Sequence, residues 1–345
     1  MGKPFGKYIQ CRWLVSARYD LSFFILSCSL CFAFLFLYEA LVYWGFSFKG
    51  EALLITYGLY TMLFDHPHIF QTFSRTHMDE IEFARRKWFH IGLPLLYVFL
   101  GLVVTWAEYG NELLVFAALY GSWHIIRQHW GFLKAYQIRN ADVDVVDQGV
   151  DALLFYSGMF CCFFSDYAED NGPVYIFGDH FVLFPHLPAE ISEVLWALFW
   201  LSLVVFALRQ IQRLQEGQAI NLPKLLFLGA ALGSHMTIFM ATSTTFMVAE
   251  AIETSYHNVQ YQGWMMHYQK KRFPALKNMT KQWLCMSLIY GGLMGSLEML
   301  SLFESQLWAK WLYVIPAMLV IYHYTIDGYV WRFRSSPELG VLFAK

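Results

Sequence analysis

Charge is what this sequence has least of. Only 14% of its 345 residues are Asp, Glu, Lys or Arg, against about 25% in an ordinary soluble domain. A chain so short of charge does not take water as its main solvent. The formal net charge is −2, which supplies no basic field, and nucleic-acid binding is excluded as a class of function. Cysteine is scarce as well, with six in all. Cys28, Cys31, Cys161, Cys162 and Cys285 lie inside apolar runs rather than loops, which excludes a disulfide framework. The Cys28-x-x-Cys31 spacing has no second pair and no flanking histidine, so it reads as small apolar packing. No internal repeat or low-complexity tract is visible, which weighs against an inverted-repeat transporter. The first 18 residues carry Lys3, Lys7, Arg12 and Arg18 without an apolar core. A cleavable signal peptide is therefore not expected, and the first apolar span directs insertion.

What is abundant is apolar and aromatic surface: 57% hydrophobic residues, 19% aromatic, mean hydropathy +0.40. A membrane-crossing helix needs about 20 mostly apolar residues, and about ten such runs are found by this rule. They cover approximately 19–46, 52–74, 88–108, 112–136, 148–166, 190–210, 223–241, 245–268, 283–302 and 307–331. If the runs alternate sides, all of the 24 lysines and arginines except Lys49, Lys310 and Arg127 fall on the side that also holds both termini. Basic loops mark the cytoplasm. The sequence thus predicts an all-α fold: a polytopic integral membrane helical bundle, one domain over 1–345, both termini cytoplasmic, in a bacterial inner membrane. The longest segment on the opposite side, 166–188, is acidic, aromatic and rich in Gly and Pro, and reads as an ordered cap. Asp142, Asp144, Asp147 and Asp151 lack the glycine of a calcium loop and read as a solvated turn and helix start. Most of the tryptophans read as interfacial belt and packing.

The histidines carry the chemistry. Ionisable groups within a bilayer are costly and are functional candidates by default. His66 and His68, His124 and His129, His257, and His323 sit on four separate spans. Counted from the nearest cytoplasmic basic residue, they lie about 7 to 20 Å inside the boundary, at 1.5 Å per residue. Converging imidazoles in a helical bundle suit a metal or haem site. Pro67, between His66 and His68, removes a helical hydrogen bond and allows a kink that aims both rings inward. The HX4H spacing of His124 and His129 places the rings about 140° apart on an ideal helix, so either one binds or the helix distorts to use both. Glu253 with His257, and His323 with Asp327, are i,i+4 pairs on one face. Each is two ligands, or a ligand and the carboxylate that fixes its tautomer. Arg127 is too deep for a topogenic charge and calls for Asp65 or Asp327 as partner. His235 reads as an interhelical hydrogen-bonding residue. His77, His90 and His267 read as interfacial, and His180 and His186 as loop residues on the opposite side.

A polytopic bundle with histidines near its cytoplasmic face resembles the membrane-bound histidine-motif non-haem iron oxygenases. These include the fatty-acid desaturases and hydroxylases and the bacterial β-carotene cleavage type. The resemblance is architectural. His124 and His129 match the first HX4H box of the desaturases, while the paired HXXHH boxes are absent, with His66-Pro-His68, His257 and His323 in their place. The resemblance implies one or two iron ions, zinc being the other metal that fits. The ions activate dioxygen to hydroxylate, desaturate or cleave a lipid-like substrate that enters from the bilayer. It implies His66, His68, His124, His129, His257 and His323 as ligands, Glu253 and Asp327 as ligands or orienters, and Arg127 and Tyr261 beside them. It also implies a soluble electron donor such as a ferredoxin, for which the basic stretch Lys270 to Arg272 would be the dock, although that stretch reads first as a topogenic anchor. Two rivals stand: a bis-histidine haem protein, and a transporter coupled to protons or metal ions.

Overall fold

A computed structural model of the chain describes residues 8–169, 174–177, 180–185, 187–241, 246–303, 308–332 and 339. It is 84% helical, as an all-α chain of this composition should be. The helices pack as two compact units, each assembled from separated stretches of sequence.

The first unit takes Met1–Cys28, Ile125–Gly172 and Phe184–Ser243. A short strand β1 (Ile9–Gln10) pairs in parallel with β4 (Ile220–Asn221), Ile9 opposite Ile220. Helix α1 (Ala17–Asp20) starts at Ser16, whose hydroxyl accepts from the Tyr19 amide at 3.2 Å, and continues through a π-turn (Leu21–Ile25). Asp20 is fully buried, yet satisfied: it accepts from the amides of Leu14, Val15 and Ser16 and from the Tyr136 hydroxyl. Helix α6 (Gly110–Arg139) gives its second half to this unit, beside α7 (Val145–Glu169), α8 (Ala189–Gln215) and α9 (Leu222–Ala241). Hydroxyl pairs tie α7 to α8, Ser157 to Ser202 at 2.9 Å and Ser165 to Ser192 at 3.0 Å.

The acidic run differs from its sequence reading. Asp142, Asp147 and Asp151 are buried, at 4%, 2% and 1% exposure; Asp144 alone stays exposed. Arg213 reaches Asp142 at 2.6 Å and Asp147 at 3.2 Å, Arg209 reaches Asp147 at 2.6 Å, and Lys224 bridges Asp142 and Asp151 at 2.7 Å each. The counter-ions come from α8 and α9, which local sequence does not place next to 142–151. Desolvation of charges this deep is offset only by such pairing.

The second unit takes Ser29–His124, Pro173–Leu183 and Thr244–Lys345. It contains α2 (Ser29–Tyr43), α3 (Glu51–Tyr60), a π-turn (Thr61–Asp65), α4 (His66–Thr76), α5 (Glu80–Trp106) and the first half of α6. Its later part holds α10 (Phe246–Arg272), α11 (Met279–Phe303) and α12 (Ala309–Val330). Within the expected cap loop, β2 (Val174–Phe177) pairs antiparallel with β3 (His180–Val182), Tyr175 opposite Phe181. The side chain of His180, and His186 altogether, lie outside what is described. Asp79 caps α5 by accepting from the amides of Ile81 and Glu82, both at 3.2 Å. Pro67 interrupts the ladder where the sequence places a kink, and the adjustment is the π-turn immediately before it, an extra residue in one turn. His90, expected at an interface, is fully buried and bonded to Glu82 at 3.0 Å.

Among the described residues four helices are long and apolar enough to cross a membrane: Ala17–Tyr43, Glu80–Trp106, Ala189–Gln215 and Met279–Ser301. Helix α9 adds a shorter apolar stretch, Leu222–Ile238, while α10 is diluted by polar residues. On α10 alone stand Glu250, Glu253, His257, Asn258, Gln260, Gln262, His267 and Gln269. Helices that carry chemistry lose hydropathy for that reason.

Candidate metal centre

His68 on α4, His124 on α6, His257 on α10 and His323 on α12 converge inside the second unit. Each offers one ring nitrogen, and the four nitrogens lie within 4.8 Å of one another. All four residues are buried, none more than 6% exposed. Their rings stand edge-on, with centroids 4.5 Å apart for His68 and His323, 4.8 Å for His124 and His323, 4.9 Å for His124 and His257, and 5.3 Å for His68 and His257. Tyr324 stacks on the His124 ring at 4.7 Å.

A hydrogen bond fixes the tautomer of His68 and another bears on that of His323. His68 Nδ1 meets the backbone carbonyl of Asp65. A carbonyl only accepts, so Nδ1 carries the proton and Nε2 carries the lone pair. His323 Nδ1 meets Thr72 Oγ1 at 2.6 Å. When Thr72 gives its single hydrogen to Asp327 Oδ1, 3.2 Å away, its oxygen accepts from His323 Nδ1 and the Nε2 of His323 is a lone pair too; when it gives that hydrogen to His323 Nδ1, the His323 Nε2–H donates to His68 Nε2. These two Nε2 atoms face each other at 2.9 Å. In the first arrangement both atoms are lone pairs, the form in which the two rings would share a cation. His124 Nε2 is buried in the same group with no hydrogen-bond partner among the described residues. With metal–nitrogen bonds of about 2.0–2.1 Å, adjacent ligand nitrogens stand about 3 Å apart, which suits the 2.9 Å pair. The donor set is all imidazole, which favours zinc, copper, iron or nickel over magnesium or calcium.

The other expected site residues are placed differently. His66 is fully buried but turned to Glu298, Nε2 to Oε2 at 3.1 Å, and Tyr57 and Thr61 donate to the same carboxylate. His129 lies in the first unit, its Nδ1 bonded to the Ile125 carbonyl at 2.9 Å and its ring 5.2 Å from His235. The HX4H pair is thus not brought together, as its angular spacing on a regular helix dictates. His235 bonds the Ala231 carbonyl of its own helix, where the sequence suggested a bond between helices. Glu253 is buried one turn before His257 and outside the four-histidine group. Asp327 holds the ligand-orienting place: it accepts from Tyr261 at 2.8 Å as well as from Thr72, and lies 3.7 Å from His323 Nδ1. Tyr261 stands edge-on to His323 and His68. Arg127 is exposed and donates to the Tyr156 hydroxyl at 2.9 Å. Asp65 accepts from Tyr60 at 3.0 Å. Thr72 and Glu298 had no signal in the sequence pattern, since each meets its histidine only through the fold.

Comparison with protein families, curated proteins and solved structures finds no match for this chain.

Proposed function

We propose that His68, His124, His257 and His323 hold one non-haem iron ion, and that the protein is a membrane-embedded oxidoreductase using dioxygen on a hydrophobic substrate. The observation that carries the metal is the buried group of four imidazoles, whose ligand nitrogens lie within 4.8 Å of one another. Iron rather than zinc follows from the resemblance to histidine-motif oxygenases. Bound iron supplies the redox chemistry by which dioxygen attacks an unactivated C–H or C=C bond. The protein's part is to hold His323 through Thr72 and Asp327, to hold His68 through the Asp65 carbonyl, and to keep bulk water from a site whose ligands are buried. A single four-ligand group favours one ion over two, because Glu253 and Asp327 stand outside it. The haem rival fits poorly: two axial imidazoles would leave the other two of the four converging histidines without a role. The reading includes a ten-span chain with cytoplasmic termini and the centre toward that side, supported by the partition of basic residues.

The test is metal analysis with an absorption spectrum after anaerobic reconstitution with Fe(II). About one iron per chain and no Soret band are expected, since four imidazoles complete one site. Alanine in place of His68, His124, His257 or His323 should each remove most of the iron. His66→Gln, which keeps a donor for Glu298, and His129→Ala should retain it. A chain that stays metal-free, or one that loses iron with His66→Gln and keeps it with His124→Ala, overturns the assignment.

A further inference from the structure

A second set of ionisable groups gathers beside the four histidines and takes no part in that group. Asp65 in the π-turn, Glu250 on α10 and Glu298 on α11 come close enough for their charges to act on one another. Tyr57 and His66 bond Glu298, each at 3.1 Å, and Tyr60 bonds Asp65 at 3.0 Å. The hydroxyls of Tyr313 and Tyr324 stand in the field of the same three carboxyls. The set adjoins the candidate centre at two points: Asp65 Oδ1 is 3.5 Å from His68 Nδ1, and the Tyr324 ring stacks on that of His124.

Charge and hydrogen bonding are both incomplete here. Among the described residues no lysine or arginine pairs with Asp65, Glu250 or Glu298, and histidine is the only base beside them. Asn258 is 1% exposed and approaches Asp65, yet neither atom of its amide has a hydrogen-bond partner among the described residues. His66 presents Nδ1 in the same condition, its Nε2 being engaged by Glu298. Buried acceptors left in this way are costly, and buried carboxylates without a counter-charge more so. The group that answers them carries positive charge and several donors. A bare metal ion does not suit, because among the described residues only the four histidines bring their ligand atoms close enough together to hold one. A primary ammonium suits both demands, being a compact cation with three donors and no acceptor. Asp65, Glu250, Tyr313 and Tyr324 are each only partly covered, so each keeps surface for a guest, and tyrosine rings beside a cation add to its binding.

We propose that this pocket binds the primary ammonium head of an amphiphile, and that long-chain alkylamines are the substrate class of the membrane-embedded oxidase. The reaction rests on the iron reading above, whereas the binding step stands by itself. A head held between Asp65 and Glu250 leaves the adjoining methylenes next to Tyr324, and so next to His124. A hydrocarbon without such a head leaves the carboxyls and Asn258 unanswered, and a site built to hydrogen-bond a polar group rejects the analogue that lacks it.

The experiment measures binding of hexylammonium chloride to the metal-free full chain in neutral maltoside micelles by calorimetry, with protein-free micelles as the blank. Hexan-1-ol has the chain without the charge and should bind about tenfold more weakly or worse; hexyltrimethylammonium has the charge without N–H donors and should fall between them. Glu250→Gln should weaken hexylammonium about tenfold or more, as when one partner of a buried charge pair is removed. Asn258→Leu should weaken it too without loss of thermal stability, because an unsatisfied buried amide gives way to an apolar side chain of similar size. Glu39→Gln, exposed on α2, should change nothing. Equal binding of amine and alcohol, or wild-type affinity in both Glu250→Gln and Asn258→Leu, overturns the pocket. Mn(II) that displaces hexylammonium from the His124→Ala chain assigns the carboxyls to a metal and also overturns it. The iron-loaded chain, supplied with ascorbate, should consume dioxygen with dodecylamine and not with dodecan-1-ol; equal consumption with both overturns the substrate class. Amine binding by a chain that takes up no iron leaves the pocket standing and overturns the oxidase reading alone.

Discussion

In the proposed metal site a threonine hydroxyl would do for His323 what a backbone carbonyl does for His68, accepting the Nδ1 hydrogen and leaving Nε2 free to bind. The difference is that the hydroxyl must itself be oriented, and Asp327 would do this by accepting its hydrogen. Thr72→Val keeps the shape and loses both bonds. The expected result is a 10- to 100-fold loss of metal affinity, the usual effect of removing an outer-shell partner, measured by competition with a chelator, with Thr72→Ser restoring it. Unchanged affinity in the valine variant would remove Thr72 from the site. Asp327 beside His323 was legible because four residues on a helix is one face. Thr72 was not, being 251 positions from His323 in sequence. The same holds for His66. Its proximity to Pro67 and His68 marked it as a ligand, and Glu298, 232 positions away, takes its ring instead.

At the scale of elements, the π-turn at Thr61–Asp65 decides where α4 begins and so where His68 points. Proline explains why the ladder breaks there, but not why it settles as an added residue and not as a sharp kink. The structure supplies the second half of the cause in α11. A Cβ on Gly291 would stand 2.4 Å from the Met62 carbonyl oxygen and 2.5 Å from Pro67, and one on Gly295 would meet Met62 at 2.7 Å. The two glycines let α11 lie directly against the turn. Gly291→Ala must therefore move backbone, at a cost of about 1–3 kcal/mol typical of overpacking. It should also weaken metal binding, because the Asp65 carbonyl that orients His68 belongs to the same turn. Gly92→Ala, with open space around its Cβ, should leave thermal stability and affinity unchanged or slightly raised. Thermal unfolding and metal titration of both variants check this, and equal behaviour of the two would show that the turn does not depend on close approach. The helices themselves were readable from apolar runs, since length and hydropathy are local properties. The π-turn and the burial of the acidic run were not, because each depends on a neighbour distant in sequence.

Across the whole molecule, each unit ties distant segments together with charge, and acid should loosen both. In the first unit, burial raises the pKa of Asp142, but Lys224 and Arg213 overcome it and hold the carboxyl below its ordinary value. In the second, burial of Asp79 is likewise overcome by Arg272, the Glu82 amide and Tyr268, and the net direction is again downward. Both aspartates lie in turns, outside the helices long and apolar enough to cross a membrane. The sign follows directly. A carboxyl whose pKa is depressed in the folded state takes up its proton at higher pH when the chain unfolds. The stability it contributes is complete above the unfolded value, about 3.9 for aspartate, and is lost as pH falls through that value toward the folded one. Thermal unfolding in a neutral detergent should therefore show a steady loss of midpoint temperature below about pH 5. Hydrogen exchange should rise at both α6–α7 and α4–α5. Asp142→Asn should flatten the pH response at the first turn and leave the second unaltered, because Asp79 answers to Arg272 within its own unit. A pH profile that stays level between 3 and 6, with Asp142→Asn as stable as wild type, would mean that these buried pairs contribute nothing to holding the segments together.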